Sequence, residues 1–255
     1  MFWRVSIAGV AVFAWLGITR PALLRIPLRT AVSISAVGLL QGAHWICFFL
    51  SVSLANVSVA LAAFATISLF TSITEPLIEG RRIRAREILC GSIVICGMFL
   101  ITGRLGDQYH PGLFIGLLGA LLHSIFPVLN RKLVAGGISP TTMLVFGMAG
   151  ACIAATLSLP FLQPGHLQLP GKGDWPYLLA LALLCTALAH TWNIHLLRRI
   201  TAYTANLTMN FEPVWGILLG ALLFLEHEQL HPAFYLGSGL IVLANFLDPL
   251  LKRRS

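Results

Sequence analysis

The sequence predicts an all-α protein, a polytopic membrane bundle of nine transmembrane helices, and three observations carry that expectation. Of 255 residues, 57% are hydrophobic and only 26 are formally charged, 17 Lys and Arg against 9 Asp and Glu. That is 10%, where a soluble chain would be about a quarter charged. The charges fall in short islands between nine apolar runs that hold 192 of the 255 positions. A bilayer core takes about 20 apolar residues per spanning helix. A soluble globule, a secreted disulfide scaffold and a disordered tail are all excluded.

The runs are 2–18, 31–53, 56–79, 85–103, 112–130, 139–161, 175–197, 201–225 and 232–250. The first lacks a charged leader and an A-x-A-like cleavage site, so it reads as a helix and not a signal peptide. The second contains Gln41, His44 and Trp45, and the third ends in Glu75-Pro76 and Glu79. The fourth follows the basic island Arg81, Arg82, Arg84 and Arg86. In the fifth, Gly112, Gly116 and Gly119 offer a small-residue surface for close helix packing, as do Gly216 and Gly220 in the eighth. His123, Pro127 and Asn130 share a stripe of the fifth, and the proline is expected to kink it. The longest connection, 162–174, is rich in Pro and Gly turns, and no soluble domain fits between any two runs. All five cysteines lie inside apolar runs, as small hydrophobes do, with no disulfide or metal spacing.

Orientation follows from the cations. With loops assigned alternately, fourteen Lys and Arg fall on one side and three, Arg4, Arg104 and Lys172, on the other. The rich side is cytoplasmic by the positive-inside rule, which puts the C-terminus inside and Met1 outside. This placement accounts for the net charge of +8 without nucleic acid as a partner. The expected location is a bacterial inner (plasma) membrane.

A shift of 146 residues superimposes span starts 31, 56 and 85 on 177, 202 and 231, and pairs His44 with His190. Extended backwards, it leaves the fifth run's partner before Met1. The architecture implied is an inverted repeat of five helices plus five with the first helix missing. The repeats are 1–104, four helices, and 111–251, five helices. Inverted repeats of this kind build many secondary transporters around a midplane site. Duplication in a purely structural membrane protein is the plainer alternative.

The stretch from Asn210 to Glu226 resembles the last-but-one helix of EamA-type members of the drug/metabolite transporter superfamily. Pro213, Gly216, Gly220 and Glu226 occupy the positions of that family's mid-helix proline, small residues and terminal glutamate. The first repeat's counterpart ends similarly in Glu79 but has Ile67 where the proline would stand. The resemblance implies ten helices, both termini cytoplasmic, and export of metabolites or drugs. It implies no cofactor and leaves the substrate unnamed.

Polar residues inside a bilayer are expensive and need a reason. Glu212 sits near the middle of the eighth run, where it could exchange protons or hold a substrate amine, or simply be protonated and bonded to a neighbouring helix. Asn206, Asn210 and Pro213 share its stripe, lining a cavity or gluing helices. His44 with Trp45, and His190 with Asn193 and Trp192, are expected to border one central cavity between spans two, three, seven and eight. Imidazoles suit proton coupling, and indoles receive cations or flat metabolites. Satisfied core histidines are the alternative. His123 is a further binding candidate and His195 a weaker one. Glu75 and Asp248 need only loop arginines as partners.

The function expected is a secondary transporter exporting a small metabolite or drug-like molecule, coupled to protons, by alternating access of a midplane cavity. No GxxxxGK[ST] loop is present, so a gradient must supply the energy. The partners are substrate, protons and the lipid bilayer, with a homodimer as one way to fill the missing helix's place. Two other readings stand beside it. One is an intramembrane enzyme acting on a lipid-linked substrate, for which no nucleophile stands out. The other is an inactive truncated transporter, unless the gene start is misplaced.

Overall fold

The structure, a computed structural model, describes residues 1–102, 105–162, 169–209, 212, 215, 216, 219, 222, 223 and 231–252. The described residues contain helices and turns but no strand. Helices occupy all nine apolar stretches: α1 (Phe2–Thr19), α2 (Leu28–Leu54), α3 (Val57–Glu79), α4 (Ala85–Thr102), α5 (His110–Ala135), α6 (Pro140–Leu162), α7 (Trp175–Leu196), α8 (Ala202–Met209) and α9 (Pro232–Lys252). Residues 212, 215, 216, 219, 222 and 223 are also helical. Among the described residues, six helices are long and apolar enough to cross a bilayer: α1, α2, α3, α5, α6 and α7. The protein is therefore a membrane helical bundle.

Local chemistry sets the helix ends. Asn56 caps α3 by accepting from Val59 N at 2.9 Å. Gly80 ends it with φ 73°, and Gly137 follows α5 with φ 88°, a left-handed turn that a Cβ would strain. Pro127 lies inside α5 without ending it. α3 is interrupted at Ala65–Thr66, where the Thr66 hydroxyl donates to Ala63 O at 2.6 Å. That interruption immediately precedes Ile67, which stands 146 positions before Pro213 in the sequence.

The chain divides into two compact units. Unit 1 comprises residues Met1–Ile46 and Phe126–Thr201, and unit 2 comprises Cys47–Ile125 and Ala202–Ser255. Each draws on both halves of the sequence. Unit 1 has a core of Val5, Ala8, Leu144, Met148, Ala151 and Ala155 between α1 and α6, joined by Ala182 and Ala187 of α7. Ser6 Oγ lies 3.4 Å from Cys152 Sγ, and a Cβ on Gly9 would stand 3.1 Å from Met148 Cβ, so α1 and α6 run antiparallel. α2 lies against α6 in the same direction: Gly38 meets Gly147, and a Cβ on Gly42 would stand 2.8 Å from Ala151 Cα.

Unit 2 is centred on Val59, Ala62, Ala63, Val94, Ile101, Leu113, Phe234 and Ile241. α4 and α9 touch backbone to backbone. A Cβ on Gly97 would lie 2.7 Å from Gly237 O, and one on Gly237 would lie 2.5 Å from Gly97 O. The contacts of Gly97 with Ile241, and of Gly237 with Ile101, make this pair antiparallel too. The expected surface on α5 is used: Gly112 meets Ala55 of α2, and Gly116 meets Ser51 and Ala63. Lipid tails are as apolar as leucine, so this close packing of small residues is what holds membrane helices together.

Candidate functional site

In unit 1, a turn of α2 presents Gln41, His44 and Trp45 at positions i, i+3 and i+4, one face of the helix. Gly38 and Gly42 seat α2 on α6 and so fix where that face points. His44 is 3% exposed. Its ring centroid is 5.7 Å from that of Phe126, which in turn is 6.4 Å from the ring of His190 on α7. One benzene ring thus touches both members of the sequence-matched histidine pair. Trp45 meets His190 edge to face at 6.1 Å.

The Gln41 amide Nε2 lies 3.4 Å from His190 Nδ1. With the amide donating, Nδ1 is the acceptor and the imidazole carries its proton on Nε2. That Nε2 is buried and has no hydrogen-bond partner among the described residues.

Immediately before His190, α7 widens into a π-helical segment, Leu183–Leu188, where Thr186 Oγ1 donates to Leu181 O at 2.8 Å. Segments of this kind recur at functional sites because they re-aim the side chains that follow. No proline or glycine marks it in the sequence, and Thr186 is its one local signal.

Arg4 joins the cluster, which sequence reasoning missed by placing it with the exterior loop cations. It lies in the first turn of α1, 9% exposed, with its guanidinium carbon 4.3 Å from the centroid of the Trp45 ring. A cation over an indole face is worth about 0.5–2 kcal/mol. Phe126 was missed as well, since nothing distinguishes it from other core aromatics in the sequence.

The other candidates fall elsewhere. Asn193 is half-buried on α7, and Trp192 is 67% exposed, away from the ring contacts of its neighbours. His195 is exposed. His123 belongs to unit 2, buried with its ring 6.5 Å from Phe64. Glu212 also belongs to unit 2, with an exposed side chain. Asn210 and Pro213 lie outside the described residues, as does the side chain of Asp248.

Asn206 donates from Nδ2 to Thr71 Oγ1 at 2.8 Å, which makes it a buried link between α8 and α3. Glu75 pairs with Arg81 at 3.4 Å, the loop-arginine partner that the sequence suggested. Unit 2 also has a small cleft, walled in part by Ser68, Ser72, Cys90 and Tyr203. Among the described residues, no three His, Cys, Asp or Glu side chains are grouped to hold a metal.

A solved crystal structure is similar to this fold with a TM-score of 0.68 at 20% identity, over 99% of this chain and 87% of its own. No curated protein was found to match the sequence. The sequence profile of the EamA-like transporter family matches residues 1–103 and 110–247. That match runs through nearly every helix of an apolar bundle, so the chain is an integral membrane transporter of the drug/metabolite superfamily and belongs to the EamA-like transporter family.

Proposed function

We propose that the protein is a secondary transporter that exports a small metabolite or drug-like molecule by alternating access, coupled to protons. The observation that carries this is the convergence of His44 and His190, 146 residues apart, on the single ring of Phe126. Two titratable groups at equivalent positions of a repeat, buried and sharing a neighbour, suit a site that two conformations use in turn.

The inverted repeat has its own support. α1 and α6 are equivalent helices under the 146-residue shift, as are α4 and α9, and both pairs pack antiparallel. Ser6 and Cys152, in contact, are themselves 146 positions apart, as residues beside a pseudo-two-fold axis would be. The family profile matches in two stretches, close to the proposed repeats 1–104 and 111–251. Nine spans then alternate through the membrane, with the cation-rich loops and the C-terminus in the cytoplasm. A bacterial inner membrane is the expected setting.

In this reading, His44 and His190 take up and release the coupling proton, with Glu212 as the membrane carboxylate that exchanges it. Trp45, Trp192, Asn193, Asn210 and His123 are further substrate contacts. Energy comes from the proton gradient. The test is counterflow in proteoliposomes, with compounds first chosen by thermal shift from amino acids, nucleobases and cationic dyes. Chemically unchanged compound accumulating against its internal pool, accelerated by an imposed pH gradient, is the expected result. A modified product would replace the reading with an intramembrane enzyme.

A further inference from the structure

We infer that one end of unit 1, where the α1–α2 connection, the α5–α6 turn and the α7–α8 turn meet, is a docking surface for the headgroups of anionic phospholipids. It does not depend on what the protein transports.

The charge of the chain is unevenly divided. Unit 1 holds nine of the 17 Lys and Arg but only one of the 9 Asp and Glu, Asp174; unit 2 holds the other eight of each. The whole net charge of +8 therefore belongs to unit 1. Topology alone does not require this. The positive-inside rule counts Lys and Arg in short loops and is nearly indifferent to Asp and Glu. Unit 2 carries its cations among carboxylates, with Arg82 and Arg84 lying between Glu79 and Glu87 in the sequence. The missing acids of unit 1 need a separate cause.

Two hydrogen bonds gather the basic segments of unit 1 around the start of α6. Thr142 Oγ1 donates to Leu23 O, in the α1–α2 connection, at 2.9 Å. Arg198 Nη2, just after α7, donates to Ile138 O at 3.5 Å. Ile138 and Thr142 flank Pro140, the first residue of α6. The connection and the first turn of α2 contribute Arg20, Arg25 and Arg29, all exposed. Arg198 and Arg199 are exposed too, as is Lys132 in the last turn of α5. Asp174 stands before α7, at the other end of that 22-residue helix. That is about 33 Å away, several times the Debye length of about 10 Å at 0.1 M salt, so it does not neutralise the cluster.

Aliphatic side chains flank these cations. Ile18, Leu28 and Leu196 are 85%, 79% and 51% exposed, close in sequence to Arg20, Arg29 and Arg198 respectively. Exposed aliphatic groups on a membrane helix suit lipid tails, and arginine stems beside them carry their heads to the polar layer. The guanidinium fork matches the free oxygens of a phosphodiester. Clusters of about four to eight Lys and Arg beside membrane helices attract anionic lipid. A soluble anion would engage the cations alone, whereas a lipid engages cations and aliphatic groups together.

The test titrates the full chain in dodecyl maltoside micelles with phosphatidylglycerol, with phosphatidylcholine of the same acyl chains, and with soluble glycerol phosphate. Saturable stabilisation by phosphatidylglycerol, weaker with the other two and reduced by 0.5 M NaCl, is the expected result. Arg25→Gln with Arg29→Gln should weaken the apparent phosphatidylglycerol affinity about thirtyfold, the weight of two cations at a membrane surface. Arg82→Gln with Arg84→Gln removes the same charge from unit 2 and should leave it within about twofold. Equal stabilisation by the two lipids, or equal losses in the two double variants, overturns the surface. Glycerol phosphate acting as well as phosphatidylglycerol overturns it in favour of a soluble anion. Where a variant fails to fold, the three-ligand and salt comparisons in the unsubstituted chain decide alone.

Discussion

Glu212 and His44, the two groups proposed for the proton path, sit in different surroundings. Glu212 is an exposed carboxylate in unit 2, whereas His44 is buried in unit 1 against Phe126. Replacing either by glutamine keeps its approximate size and removes its titration. If both belong to the proton path, Glu212→Gln and His44→Gln should each abolish pH-gradient-driven transport while substrate counterflow, which needs no net proton movement, persists. Gradient-driven transport by Glu212→Gln that matches the unsubstituted protein across a pH series would remove the carboxylate from the mechanism. Asn206 is different in kind, since its amide is already committed to Thr71. Thr71→Val strands a buried amide donor and should lower stability by about 1–3 kcal/mol. Adding Asn206→Leu should return most of that loss, because both ends of the bond are then apolar. Melting temperatures in detergent check the pair. Losses that simply add would show that the 2.8 Å contact carries no coupling.

Helix pairing in this protein depends on glycines that admit a neighbouring backbone. Gly97 and Gly237 each face the other's carbonyl oxygen, and a Cβ on either would fall within 3.0 Å of backbone that cannot rotate away. Gly97→Ala should therefore force α4 and α9 apart at a cost of about 1–3 kcal/mol. Gly17→Ala, where a Cβ would meet nothing within 4 Å, should be close to neutral. A melting temperature for Gly97→Ala equal to that of Gly17→Ala would refute the close contact. The π-helical segment of α7 and the Thr66 break in α3 are also properties of single helices. At each, a threonine hydroxyl donates to its own helix, at Leu181 O and at Ala63 O respectively. Hydropathy is blind to both, because threonine is common throughout membrane helices.

For the molecule as a whole, topology is the most accessible test. In a background lacking the five native cysteines, a single cysteine replacing Lys172 should react with an impermeant maleimide from outside intact cells. One replacing Arg84 should react only after permeabilisation. The opposite labelling pattern would reverse the orientation, and labelling of both positions from one side would overturn nine alternating spans. The compact units add a constraint that the linear order hides. Each is assembled from both halves of the chain, and α2 and α5 each contribute residues to both units.

The helices of the described residues and the membrane itself were legible from composition and hydropathy, because a bilayer demands long apolar segments and tolerates few charges. The 146-residue shift also matched His44 with His190 in the sequence. Their meeting on Phe126, the burial of Arg4 over Trp45 and the commitment of Asn206 to Thr71 were decided only by tertiary structure. Each depends on which faces of neighbouring helices turn toward one another. That choice is made by glycine contacts and side-chain fit between segments far apart in the chain, and no local periodicity encodes it.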